Sequence, residues 1–231
     1  MNTDLTRFLA ETDAILLDFD GPVCSIFAGY PAPKIAAELV ELLQRQGVAL
    51  PQQLSSETDP LEVLRWAGTT GNKATTRAVD DALCAAELRA AESATPTPYS
   101  REVIVAARQA GLPVAVVSNN SAGAVTAYLA SHRLAGYVSP IVGRAYAEPE
   151  RMKPNPEPVL RAVNDLGIQA SRAVLVGDSL SDIEAGRAAG VRTIGYANRP
   201  AKVDAFRKAG ADAVFESMGP LAEGLIADAN D

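Results

Sequence analysis

The sequence predicts an α/β fold, a doubly wound parallel sheet with a small all-helical domain inserted after its first strand. Three observations carry this. Short, almost wholly apolar strands recur along the chain; helical segments separate them; and residues 22–96 break the alternation with helices alone. Strands lacking a polar face belong to sheets covered on both sides, as parallel sheets with crossover helices are. Right-handed crossovers then put any ligand cleft at the carboxyl ends of the strands.

In chain order, "AILLDF" (14–19) is the first strand. "KIAAELVELLQRQG" follows, with Ile35, Leu39, Leu42 and Leu43 on one helical face. "DPLEVLRWAG" and "NKATTRAVDDALCAAELRAAES" also read as helices, with no strand between them, and "ATPTPY" (94–99) reads as a return linker. The expected division is a core of 1–21 and 97–231 and an inserted helical domain, 22–96, over the cleft. Helix 99–110 leads to strand "PVAVVS" (113–118), then helix 122–132 and strand "YVSPIVG" (137–143). Asn155 before Pro156 signals the start of helix 157–166, with proline at the first helical position. "AVLVG" (173–177) precedes helix 182–189, where Ser181 and Glu184 have capping-box spacing and Gly190 closes the helix. Strand "VRTIG" (191–195), helix 201–209 and strand "DAVF" (212–215) complete the alternation.

The chain of 231 residues is 48% hydrophobic, enough for a core, and at 21% charged it is not of disordered composition. A net charge of −7 argues against nucleic acid or an anionic membrane as partner, so an anionic substrate needs local positive charge or a metal. No apolar run approaches the length of a membrane span, and "MNTDLTRFLAETD" is too polar for a signal peptide. Cys24 and Cys84 lack metal or redox spacing and read as thiols of a reducing cytoplasm. The single histidine, His132, falls at a predicted helix end, which excludes His-rich metal sites.

Four clusters carry chemistry. Asp18 and Asp20 are two apart, so both side chains point to one face as the first strand ends, and Gly21 permits a tight turn. Alone, the pair fits a turn as well as a site. Ser118 and Asn119 in "VVSNNSAGAV" fit a helix-start anion site or ordinary capping. Lys153 precedes the stiff Pro154-Asn155-Pro156 run, where it is a solvated lysine or a fixed positive charge for a phosphate. Asp178 follows a buried strand directly, whereas Asp182, in the next helix's first turn, also suits the helix dipole. All four clusters fall at strand carboxyl ends facing one crevice. Carboxylates gathered there repel unless a cation is present, and an all-oxygen set favours a hard ion, most simply Mg²⁺.

Taken together, "DFDGPV", "VVSNN", "KPNP" and "GDSLSD", in this order, resemble the four motifs of the haloacid dehalogenase-like hydrolase superfamily. The resemblance spans residues 14 to 200 and gives the 22–96 insertion the position of the family's C1-type helical cap. It implies that Asp18 attacks phosphorus to form an aspartyl-phosphate, and that Asp20 protonates the leaving oxygen and later deprotonates water. It implies Mg²⁺ held by Asp18, the backbone carbonyl of Asp20, Asp178 and Asp182, the last directly or through water, with Ser118, Asn119 and Lys153 on the phosphoryl oxygens. The family's dehalogenases lack a carboxylate at the Asp20 position, so its presence favours phosphoryl chemistry. Pro22 departs from the threonine more usual there. Cap residues Lys34, Arg45, Arg65, Trp66, Lys73 and Arg77 are candidates for the leaving-group pocket. The expected substrate is a small phosphorylated metabolite of the cytoplasm. A phosphomutase uses the same machinery; a phospho-accepting signalling module or a non-catalytic binder are rivals of another class.

Overall fold

The computed structural model describes residues 3–228. The ends of the two predicted core segments, residues 1–2 and 229–231, lie outside them. The elements, in chain order, are α1 (Thr3–Ala10), β1 (Ala14–Leu17), β2 (Cys24–Ser25), α2 (Ala32–Arg45), α3 (Pro60–Thr69), α4 (Lys73–Glu92), β3 (Thr95–Pro96), α5 (Ser100–Gln109), β4 (Val114–Val117), α6 (Ala122–Ser131), β5 (Val138–Val142), α7 (Glu157–Leu166), β6 (Ala173–Gly177), α8 (Leu180–Ala188), β7 (Arg192–Tyr196), α9 (Ala201–Ala209), β8 (Ala213–Phe215) and α10 (Gly219–Asp228).

Six strands form one sheet in the order β5-β4-β1-β6-β7-β8, every neighbouring pair parallel. Alternate residues of β1 enter different cores. Ile15 and Leu17 pack with Val103, Ile104, Leu221 and Leu225, whereas Leu16 packs with Val159, Val163 and Ala185. That two-sided burial is why the strands read as unbroken apolar runs. In register, Leu17 of β1 lies beside Val116 of β4 and Val176 of β6. Asp18, Ser118 and Asp178 therefore emerge at one edge of the sheet.

Several local expectations change. β2 and β3 form a two-residue antiparallel ribbon, Cys24 opposite Pro96 and Ser25 opposite Thr95, where the sequence suggests only a linker. The helical segment thus leaves and rejoins the α/β part through adjacent backbones. In α2, Ala36 and Val40 are buried with Ile35, Leu39 and Leu43, and Leu42 is only half-buried. α7 starts at Glu157 rather than Pro156, although Asn155 still accepts from the Glu157 N–H at 2.9 Å. The capping box of α8 is Ser179 with Asp182, not Ser181 with Glu184, so the helix opens at Leu180. Gly190 does follow its end, with φ +72°. α1 and α10 are additional. Leu5 and Leu9 of α1 pack against Gly224 of α10, an i, i+4 pair overlooked in a polar stretch.

Candidate active site

Asp18 continues β1 for one residue, its N–H donating to the Val176 carbonyl at 2.9 Å, and only 8% of it is exposed. The chain then turns at Gly21, whose φ of +106° suits glycine. Space matters there as much as conformation, because a Cβ on Gly21 would overlap Asp178 Cγ. The turn holds Asp20 in place, its Oδ1 accepting from the Ile26 N–H at 3.0 Å. Gly177 plays the matching part at the end of β6, where a Cβ would collide with the Asp182 side chain.

Lys153 is the buried cation of the site, 1% exposed. Its Nζ lies 2.9 Å from Asp18 Oδ1 and 2.5 Å from Asp182 Oδ1, and donates to the Val117 carbonyl at 2.7 Å. Asp182 Oδ1 has this ammonium as its partner. Asp182 Oδ2 is committed to the α8 cap, accepting from the Ser179 N–H at 3.0 Å and the Ser179 hydroxyl at 2.6 Å. Asn119 clamps the lysine's backbone, its Oδ1 accepting from the Lys153 N–H at 2.9 Å and its Nδ2 donating to the Lys153 carbonyl at 3.1 Å. The Ser118 N–H is used by β5, donating to the Val142 carbonyl at 2.9 Å, and its hydroxyl pairs with Asn120.

The structure brings all seven predicted residues around one cavity of about 370 Å³: Asp18, Asp20, Ser118, Asn119, Lys153, Asp178 and Asp182 all line it. Burial pushes the Asp18 carboxyl up to about 8, with the Asp182 charge adding to the effect and Lys153 opposing it. Burial likewise raises Asp20 to about 6, against the Ile26 hydrogen bond. Asp178 is raised by burial, and Lys202 works the other way. Burial alone would depress the Lys153 ammonium, but Asp18 and Asp182 hold it above its usual value.

These values describe a site with more negative charge than its lysine can answer. Asp18, Asp178 and Asp182 each present a carboxylate oxygen, all within 4.8 Å of one another. An all-oxygen trio of this spacing fits a hard divalent cation such as Mg²⁺. The Asp20 carboxylate is not part of that trio.

Two neighbours of Asp178 were not anticipated. Lys202 Nζ lies 2.7 Å from its Oδ2, and Asn198 Nδ2 donates to the same oxygen at 3.0 Å. Both lie beyond the four motifs, Asn198 in the loop after β7 and Lys202 in the first turn of α9, and the pairing of β7 with β6 brings that stretch to Asp178. Among the six candidates from the helical segment, Arg65 alone lines the cavity, donating to the Lys153 carbonyl at 2.8 Å. Arg45 pairs with Glu41 on the surface, Lys34 lies over the Tyr30 ring and Trp66 packs beside the core. Lys73 and Arg77 line a separate cavity beside Tyr146.

The family model described as hydrolase, haloacid dehalogenase-like hydrolase, matches residues 12–190. A phosphoglycolate phosphatase of Pectobacterium atrosepticum is 29% identical over 199 residues, which span 81% of this chain and 82% of that protein. The phosphoglycolate phosphatase of Escherichia coli is 28% identical over 128 residues, 55% of this chain and half the length of that protein. A putative beta-phosphoglucomutase from Bacteroides vulgatus shares the fold with a TM-score of 0.66 at 19% identity, covering 100% of both chains.

Proposed function

Because the match over residues 12–190 makes this chain a member of the haloacid dehalogenase-like hydrolases, we propose that it is a Mg²⁺-dependent phosphatase of small phosphate monoesters. The observation that carries this reading is Asp18. It is a buried carboxylate at the mouth of the sheet, 2.9 Å from a buried lysine and grouped with Asp178 and Asp182.

An Asp18 oxygen attacks phosphorus, forming the aspartyl-phosphate as the bond to the leaving oxygen breaks. Asp20 gives that oxygen its proton; with its carboxyl raised to about 6, it exchanges a proton near neutrality. Asp20 then takes a proton from water, which attacks phosphorus and breaks the bond to Asp18, releasing inorganic phosphate. Lys153, Ser118 and the Asn119 backbone hold the phosphoryl oxygens. Asp18, the Asp20 carbonyl, Asp178 and Asp182 would hold Mg²⁺. When bound, Mg²⁺ would screen Asp18 from the phosphate and stabilise the transferring oxygens.

Residues 22–96 act as the cap in this reading. Phe27, Leu61, Glu62 and Arg65 roof a cavity of about 370 Å³, which suits a small ester rather than a phosphoprotein. The candidates are phosphoglycolate-like, sugar and nucleoside phosphates, met in a cytoplasm that keeps Cys24 and Cys84 as free thiols. Phosphate release from a panel of phosphorylated metabolites, with and without Mg²⁺, tests the reading. Mg²⁺-dependent release from at least one supports it. Isomerisation of a sugar phosphate without release would make the chain a phosphomutase, and no turnover of any ester would overturn both.

A further inference from the structure

A second buried charge cluster lies outside the four motifs. The side chain of Arg144, in the loop after β5, is 1% exposed and is flanked by the side chains of Asp80 and Glu87 of α4, at 1% and 0%. Its guanidinium donates to Asp80 Oδ1 at 2.9 Å from Nε and 2.6 Å from Nη2, and to Glu87 Oε1 at 2.8 Å from Nη1. Asp80 Oδ2 accepts from the Ala147 N–H at 2.6 Å.

Much of this cluster's remaining hydrogen bonding goes to residues 119–121. Arg144 Nη1 donates to the Asn119 carbonyl at 2.8 Å, and the Arg144 N–H to the Asn120 carbonyl at 2.9 Å. Glu87 accepts from Asn120 Nδ2 at 3.2 Å and from the Ser121 N–H at 2.9 Å. That loop reaches the cavity directly, because Ser118, Asn119 and Asn120 line it and the Asn119 side chain holds the Lys153 backbone.

Resting on the phosphatase reading, we propose that Arg144 and Glu87 are positioning residues that fix the loop of Ser118, Asn119 and Asn120 for the phosphoryl group. The phosphate pocket is then built partly by α4 of the inserted segment. A fork of five rigid donors suits this role because it grips a backbone carbonyl and two carboxylates at once. Glu87 answers two loop donors that would otherwise be buried without partners.

The test is calorimetric binding of inorganic phosphate in the presence of Mg²⁺, beside kcat and KM for the best ester of the panel. Arg144→Met and Glu87→Gln should each weaken phosphate binding by about tenfold to a hundredfold. KM should rise by more than kcat falls, and the affinity for Mg²⁺ alone should hold. Arg144→Lys should not rescue, since a point charge cannot reproduce the fork. Glu87→Gln preserves volume, so it carries the test if Arg144→Met fails to fold. Variants that lose only thermal stability, with phosphate affinity and KM at wild-type values, would overturn the assignment alone. A wild-type protein that neither binds phosphate nor hydrolyses any ester would overturn the phosphatase reading and this assignment together.

Discussion

The site at the strand ends and the cluster around Arg144 both bury carboxylates, yet they answer those charges differently. Asp80 and Glu87 meet a guanidinium, backbone N–H groups and an amide, and both are fully buried among these donors. Asp18 and Asp182 share the Lys153 ammonium, and an oxygen of each lies within 4.8 Å of an Asp178 oxygen, a trio on one side of a cavity. One cluster is closed and the other is open to a cation. A buried acid with matched donors is a strut, whereas one short of donors is held ready for a partner that brings charge. Two clusters joined through residues 118–121 thus divide support from chemistry.

The strongest way to break that division is Asp18→Asn. Removing the nucleophile should cut Mg²⁺-dependent hydrolysis of p-nitrophenyl phosphate by about a thousandfold or more. Full retention of activity would put Asp18 among the struts. Asp178→Asn should weaken Mg²⁺ by about tenfold to a hundredfold in calorimetry. Gly21→Ala should act in the same direction, because its Cβ would push Asp178 aside.

A smaller effect concerns Lys202. It competes for Asp178 Oδ2 from 2.7 Å, so Lys202→Met should tighten Mg²⁺ by about fivefold, the size of a partly exposed ion pair. Weaker binding instead would mean that Lys202 orients the carboxylate.

The last effect is on stability. An ordinary aspartate titrates near 4, and burial pushes Asp18 up to about 8 when no metal is bound. The folded state then binds the proton more tightly than the unfolded state, so Asp18 lowers stability progressively as pH rises from about 4 to about 8. Against Asp18→Asn, which does not titrate, metal-free wild-type protein should lose thermal midpoint steadily over that range. A constant gap between the two would contradict the shift.

The sequence made the open cluster legible and the closed one invisible. Asp18, Asp20 and Asp178 could be placed because each follows an apolar strand, and a parallel sheet puts all strand ends at one edge. Asp182 lines the same cavity, but its capping of α8 through Ser179 was hidden, since Ser181 and Glu184 have the same spacing. Arg144 meets Asp80 and Glu87, 64 and 57 residues earlier, and no local period encodes that meeting. Lys202 likewise reaches Asp178 only through tertiary packing. The short ribbon of β2 and β3 was missed because two-residue strands leave no alternation to read.

The most direct test of the open site is a rapid-quench experiment on wild-type protein mixed with Mg²⁺ and its best ester, followed by peptide mass spectrometry. The account predicts a transient phosphoryl group on the peptide containing Asp18, formed at least as fast as phosphate is released and absent from Asp18→Asn. Mg²⁺-dependent turnover with no phosphorylated Asp18 at any time, and with Asp18→Asn still active, would contradict it.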